Sequence, residues 1–358
     1  MFDTIATHER PHFDEYAAIF LLKKFGENKF PGISKARIVC WNSGDGNGVG
    51  VKRSVDDYEK EGALFIGVGG GRFDEHPVAS GERKQNECSA TLVAKALGIA
   101  DDPSLEKILK FALNNDIKAA ASPFDLAYIT KIMHQRYPDN SDKVMEWVMA
   151  GLEAKYQEQD SFFNEAKKEF YRMAKIEEII TPRGMLRRMA TVVSDDEQIN
   201  KLARSAYGGN TAIIIQKKSS GHVQIFTNQH YGLTLYDIAQ ILRLAEQKAK
   251  GKIITKDWKV LASEGKVAGA EEWFFFQAGQ MLLNGSLTAT GVPATKIPLE
   301  QIQEIVRIGI NPNAFEPKFS SRCKRGICAV SLIKGERCPW YEFGLQRCRK
   351  IRFEMRKK

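Results

Sequence analysis

Short apolar runs alternate along the first part of the chain with longer stretches in which apolar residues recur every three or four positions. Thr4–Thr7 (TIAT) predicts a strand, and His12–Phe25 (HFDEYAAIFLLKKF) predicts the helix after it. Ala36–Trp41 (ARIVCW) and Ala63–Val68 (ALFIGV) predict further buried strands, while Ser89–Leu97 and Leu105–Leu113 predict helices. Strands alternating with helices imply a parallel sheet with helices on both faces, and such sheets take ligands beyond the carboxyl ends of their strands. Asn42–Gly50, rich in Gly and Asp, predicts a loop, and Gly69-Gly70-Gly71 a tight exit from its strand.

From Asp142 to Ile180 the pattern is helical, broken only by Gly151 until Thr181-Pro182-Arg183-Gly184 ends it. A more β-rich stretch follows, with expected strands at Thr211–Gln216, Val223–Thr227 and Trp258–Ala262 and a helix near Leu235–Lys248. Trp273–Leu283, a Gly/Ser/Thr loop at Asn284–Gly291 and a helix at Pro298–Ile308 close it. The expected class is α/β, with a mostly parallel Rossmann-like sheet, a second α+β domain and a small Cys-rich basic C-terminal module. The expected divisions are 1–140, a helical linker over 141–182, an α+β domain over 183–310 and the module over 311–358.

Composition narrows the classes. The 358 residues are 43% hydrophobic and 27% charged, which excludes a disordered or fibrous chain. No uninterrupted apolar run approaches the ~18 residues of a membrane helix. Met1-Phe2-Asp3-Thr4 lacks the features of a signal peptide, so a cytoplasmic location is expected. The net charge of +9 is concentrated at one end: residues 311–358 carry 13 Lys+Arg against 4 Asp+Glu, leaving 40 of each sign elsewhere. Cys323, Cys328, Cys338 and Cys348 crowd the same segment. Clustered cysteines in a cytosolic chain point to metal rather than disulfides.

Candidate chemistry begins at Thr7-His8-Glu9-Arg10-Pro11-His12-Phe13-Asp14-Glu15, where a strand gives way to a helix. His8, His12 and Asp14 would converge at the strand's carboxyl end, and imidazole with carboxylate suits a divalent ion such as Mn²⁺ or Zn²⁺. An exposed polar loop, with Asp14 or Glu15 serving the helix dipole, is the alternative. A second strand exit, Gly69–Gly71 into Arg72-Phe73-Asp74-Glu75-His76-Pro77, carries the same residue types. Asp116, near the end of a helical pattern, is either a third contributor or a helix-terminal turn residue.

Together these segments resemble the DHH phosphoesterase superfamily, and within it the melanocyte-proliferating-gene family of exonucleases. Thr7, His8, His12, Asp14 and Glu15 match that family's opening Thr-His…His-x-Asp-Glu motif. Val68-Gly69-Gly70 with Phe73-Asp74-Glu75-His76 matches its Val-Gly-Gly and Phe-Asp-His-His signatures, and Ser89-Ala90-Thr91-Leu92-Val93 its Ser-Ala-x-Leu-Val helix. The resemblance covers roughly residues 1–310. It implies phosphodiester hydrolysis, with a nuclease acting on RNA or single-stranded DNA. It also implies one or two divalent ions, Mn²⁺ foremost, held by His8, His12, Asp14, Asp74, Glu75 and Asp116, with His76 and Arg72 contacting phosphate. Two positions depart from the pattern: Gly67 stands where the family has an aspartate that bridges metals, and Glu75 where it has a histidine. Asp45 is one acid that could substitute for the missing carboxylate. A degenerate, non-catalytic nucleic-acid-binding domain and a small-nucleotide phosphatase are the other readings.

In the same family a second domain binds substrate, and Ser286, Thr288, Thr290 and Gly291 are the expected phosphate contacts, although such loops are also common connectors. The pattern C-x4-C-x9-C-x9-C from Cys323 to Cys348 would satisfy tetrahedral Zn²⁺. Around it Lys324, Arg325, Trp340, Arg347, Arg349 and Lys350 interleave cations with an aromatic ring, which suits RNA or single-stranded nucleic acid.

Overall fold

The computed structural model describes residues 1–41, 53–76, 86–285, 289 and 291–310. Two compact units divide the chain, Met1–Phe163 and Asn164–Lys358. The fold is mixed α/β. Among the described residues one sheet has three parallel strands and the other six mixed strands.

In the first unit β1 (Thr4–His8) leads into α1 (Phe13–Phe25), followed by β2 (Arg37–Trp41), α2 (Val55–Lys60) and β3 (Ala63–Phe65). The helices α3 (Ser89–Leu97), α4 (Glu106–Lys118), α5 (Leu126–Arg136) and α6 (Ser141–Asp160) complete it. The sheet order is β2-β1-β3, so β1 is central, with Ile5 level with Ile38 and Leu64. Phe13 through Leu22 are all buried, and α1 packs against α3, α4 and α6. A helix apolar on every side belongs inside, and α1 is the axis of this core. Leu22, fully buried there, is expected to cost about 2–5 kcal/mol when cut to Ala, read as a loss in denaturant midpoint.

The strand expected over Ala63–Val68 stops at Phe65. Ile66 still donates to the Ala6 carbonyl (2.9 Å), but Gly67, Gly69 and Gly70 have φ of +64°, +82° and +72°. Left-handed backbone cannot continue a strand, and it turns the chain back so that Gly67 N–H reaches the Phe73 carbonyl (3.0 Å).

The second unit begins with α7 (Lys167–Met173), β4 (Lys175–Ile180), β5 (Leu186–Val193), α8 (Ile199–Arg204), β6 (Ile213–Lys217) and β7 (Val223–Thr227). It continues through α9 (Tyr236–Ala249), α10 (Trp258–Leu261), β8 (Trp273–Phe276), β9 (Met281–Asn284) and α11 (Leu299–Ile310). The order is β4-β5-β6-β7-β9-β8, antiparallel except for the parallel pair β5–β6. Trp273 and Phe275 face the core, while Phe274 and Phe276 are partly exposed, the period-two pattern of a strand.

Two expectations need correction here. Helix was expected to run to Ile180, but Lys175–Ile180 is a strand paired with Leu186–Val193. Lys-Ile-Glu-Glu-Ile-Ile fits either period, and the Thr181–Met185 turn decides it by folding β5 back. Trp258–Ala262 was expected as a strand and is the short helix α10. Asp257 caps it by accepting from Lys259 N–H (2.9 Å), and Leu261 is buried while Trp258 and Val260 are exposed.

Candidate metal centre

The parallel pairing of β1 with β3 brings two strand exits side by side. His8 ends β1, His12 is the residue before α1, and Asp14 and Glu15 lie in its first turn. The turn after β3 delivers Asp74, Glu75 and His76 to the same end, and Ser89 opens α3 beside them. Asp14, Glu15 and Glu75 are 2%, 1% and 1% exposed.

Hydrogen bonds fix each group. Glu15 Oε2 accepts the His12 backbone N–H (2.6 Å), a capping arrangement, while Oε1 lies 3.1 Å from His8 Nε2. Ser89 joins two of the acids: its N–H donates to Asp14 Oδ2 (3.2 Å), and its hydroxyl is 2.9 Å from Glu75 Oε2. Asp74 accepts the Gly70 N–H (2.7 Å) and the His76 N–H (3.0 Å), and its Oδ1 is 3.0 Å from His76 Nδ1. Three sets offer ligand atoms within 4.8 Å of one another: His8, His12 and Glu15; Asp14, Glu15 and Glu75; Asp74, Glu75 and His76. Glu15 and Glu75 each belong to two sets. These buried acidic and imidazole groups could hold a metal ion.

The electrostatics follow from crowding. Burial raises the Asp14 pKa well above its ordinary value, and the charges of Glu15, Glu75 and Asp116 raise it further. Burial also raises Glu75, with the Ser89 hydrogen bond acting against it. For Glu15 burial is outweighed by the hydrogen bond and charge of His8, which lower it. His8 is raised because the same partner overcomes the opposing effect of burial. The hydrogen bond to Asp74 lifts His76 to about 9. Among the described residues the ion-pair partners of Glu15 and Glu75 are these imidazoles, not a lysine or arginine. Buried negative charge of this density requires a proton or a cation.

Gly67, the position without a side chain, is accounted for by its neighbour. A Cβ placed there would lie 2.7 Å from both Cγ and Oε1 of Glu15. The carboxylate of Glu15 thus occupies the space into which a residue 67 side chain would project. The chain lacks an acid at the strand exit but has one in that volume, supplied by the helix. The sequence pattern alone had not placed Glu15 among the ligands; its position three residues after His12 was the available signal. Asp45 lies outside the described residues.

The structure brings some expected residues together and leaves others apart. Asp116, in the last turn of α4, lies close enough to raise Asp14, and both line a cavity of about 630 Å³ with His12, Arg10 and Lys131. It is in none of the three tight sets. Arg72 pairs with Glu59, and its guanidinium sits 4.9 and 5.0 Å from the ring centroids of Phe30 and Phe73. Its expected phosphate contact therefore competes with a role in packing the turn. Gly291 is exposed, whereas Ser286, Thr288 and Thr290 lie outside the described residues, as do Pro77 and the whole segment 311–358.

No protein-family model and no curated protein matches the chain. Among solved structures it is similar to an uncharacterized protein from Helicobacter pylori G27. The two are 11% identical with a TM-score of 0.27, over 86% of this chain and 98% of that one. No helix among the described residues is long and apolar enough to cross a membrane.

Proposed function

We propose that the first unit is a metal-dependent phosphoesterase of the DHH kind, Rossmann-like in arrangement and closest to the melanocyte-proliferating-gene exonucleases. It acts in the cytoplasm as a nuclease on RNA or single-stranded DNA. One observation carries this reading: His8, His12, Asp14 and Glu75 are gathered around Glu15, whose carboxylate fills the space above Gly67. The degenerate reading rested on a missing acid at residue 67, and an acid stands in that volume.

His8, His12, Asp14, Glu15 and Glu75 would hold the ion, with Asp116 facing the adjoining cavity. A bound divalent cation supplies Lewis acidity, polarising a phosphoryl oxygen and acidifying water. Asp74 holds Nδ1 of His76 and leaves Nε2 as the open ring nitrogen. With a pKa of about 9, His76 carries its proton at neutral pH and can donate to a phosphate oxygen. The segment 311–358 extends the proposal: Zn²⁺ held by its four cysteines, and a cationic surface that gathers single-stranded nucleic acid.

Mn²⁺ is expected to sustain phosphodiester hydrolysis that a chelator abolishes. It should also raise the melting temperature, the ion contributing about 2.7 kcal/mol at a hundred times its Kd. The shift should be larger at pH 8 than at pH 5, because Asp14 and Glu75, raised by burial, hold protons in acid that the ion must displace. A protein with neither hydrolysis nor a thermal response to Mn²⁺ would end this reading.

A further inference from the structure

A buried histidine outside the metal centre is tied to the loop that builds it. His134, in the last turn of α5, is only 5% exposed. Its Nε2 lies 3.2 Å from the Pro11 carbonyl and 3.2 Å from the Tyr16 hydroxyl, 123 and 118 positions away in the chain. A carbonyl only accepts, so Nε2 carries the hydrogen and the two oxygens share it. The imidazole is nearly parallel to the Tyr16 ring, with centroids 6.0 Å and planes 14° apart. Tyr16 is itself fully buried and follows Glu15 directly on α1.

The loop it reaches needs holding. Pro11 lies between the imidazoles of His8 and His12, and Arg10 before it has a φ of +56°. Left-handed backbone is unfavourable for a residue with a side chain and persists only where its surroundings enforce it. Two other hydrogen bonds fix the ends of the loop. Glu15 accepts the His12 N–H (2.6 Å), and His8 Nδ1 lies 2.7 Å from the Glu9 carbonyl. His134 supplies the anchor between them, from a different helix. His134, Pro11 and His12 line the same cavity as Asp14 and Asp116.

We propose that His134 is a positioning residue for the metal centre: its Nε2–H, donated to the Pro11 carbonyl, sets the chain so that His8 and His12 reach one ion. The proposal rests on the metal-centre reading. Without that hydrogen bond the strained stretch at Arg10 is free to relax and to carry His12 with it. The Tyr16 hydroxyl shares the same hydrogen, so His134 also ties the loop to the turn of α1 that bears Asp14 and Glu15.

The test measures the Mn²⁺ affinity of the full chain by calorimetry, alongside melting without ions. His134→Asn, whose amide is too short to reach the Pro11 carbonyl, is expected to weaken Mn²⁺ binding about 10–100-fold. His134→Phe keeps a ring beside Tyr16 but has no donor; it should do the same, and it replaces the Asn variant if that one does not fold. His134→Gln, whose amide nitrogen comes close to the position of Nε2, should restore most of the affinity. Leu22→Ala lowers stability elsewhere in the same core and should leave the affinity unchanged. Wild-type affinity in the Asn or Phe variant, or no recovery with Gln, would overturn the proposal and leave the metal centre standing. An equal loss of affinity in Leu22→Ala would also overturn it, reducing His134 to a packing residue. A wild-type chain that binds no Mn²⁺ would remove the metal centre and this proposal together.

Discussion

Asp14→Asn is expected to abolish ion-dependent hydrolysis while leaving the ion-free protein as stable as wild type, or more so. The side chain is buried and accepts from Ser89 N–H, and an amide oxygen can keep that bond. The substitution therefore removes charge without removing shape. In the absence of an ion that charge is unfavourable, since burial and three neighbouring acids push Asp14 to retain its proton. Losing a group that supports a ligand only indirectly commonly costs 10–100-fold in activity or metal affinity, so losing a ligand should cost at least about 100-fold. Hydrolysis rates, the melting temperature without ions and the Mn²⁺-induced shift together make the check. An Asn variant that still hydrolyses at the wild-type rate would remove Asp14 from the centre.

Moving the acid back to the strand exit is the second large effect. Gly67→Asp alone puts a Cβ 2.7 Å from the Glu15 side chain, on backbone with φ of +64°. Aspartate tolerates that conformation better than most residues, so the collision is the main cost. Glu15→Ala alone removes the partner of His8 and the acceptor for His12 N–H. Both single variants should lose the Mn²⁺ response and melt earlier. Glu15→Ala with Gly67→Asp should recover part of each, because the new acid enters the volume the old one left. The recovery is read as a coupling energy of at least about 1 kcal/mol in a double-mutant cycle. Strictly additive losses would mean that the two positions do not share one site.

Much of this was legible in the sequence where one local rule dominated. Thr4–His8 and Phe13–Phe25 have the pattern of a buried strand and an all-round apolar helix, and Ser89–Leu97 was bounded by Gly98. The grouping of His8, His12, Asp14 and Glu75 was legible because parallel strands send their exits to one end. Other features depended on contacts between distant residues. Glu15 looked like a helix-terminal charge, and only the fold shows it beside Gly67. The short segments Lys175–Ile180 and Trp258–Leu261 carry too few residues for their period to decide, and a turn and a cap settled them.

The helix that carries Asp14 and Glu15 is also the centre of its unit, with every residue from Phe13 to Leu22 buried. Combinatorial libraries aimed at a new ion preference would therefore lose most members to misfolding if they randomised this stretch. Arg72 and His76, exposed side chains in the turn after β3, are the better ground for such engineering.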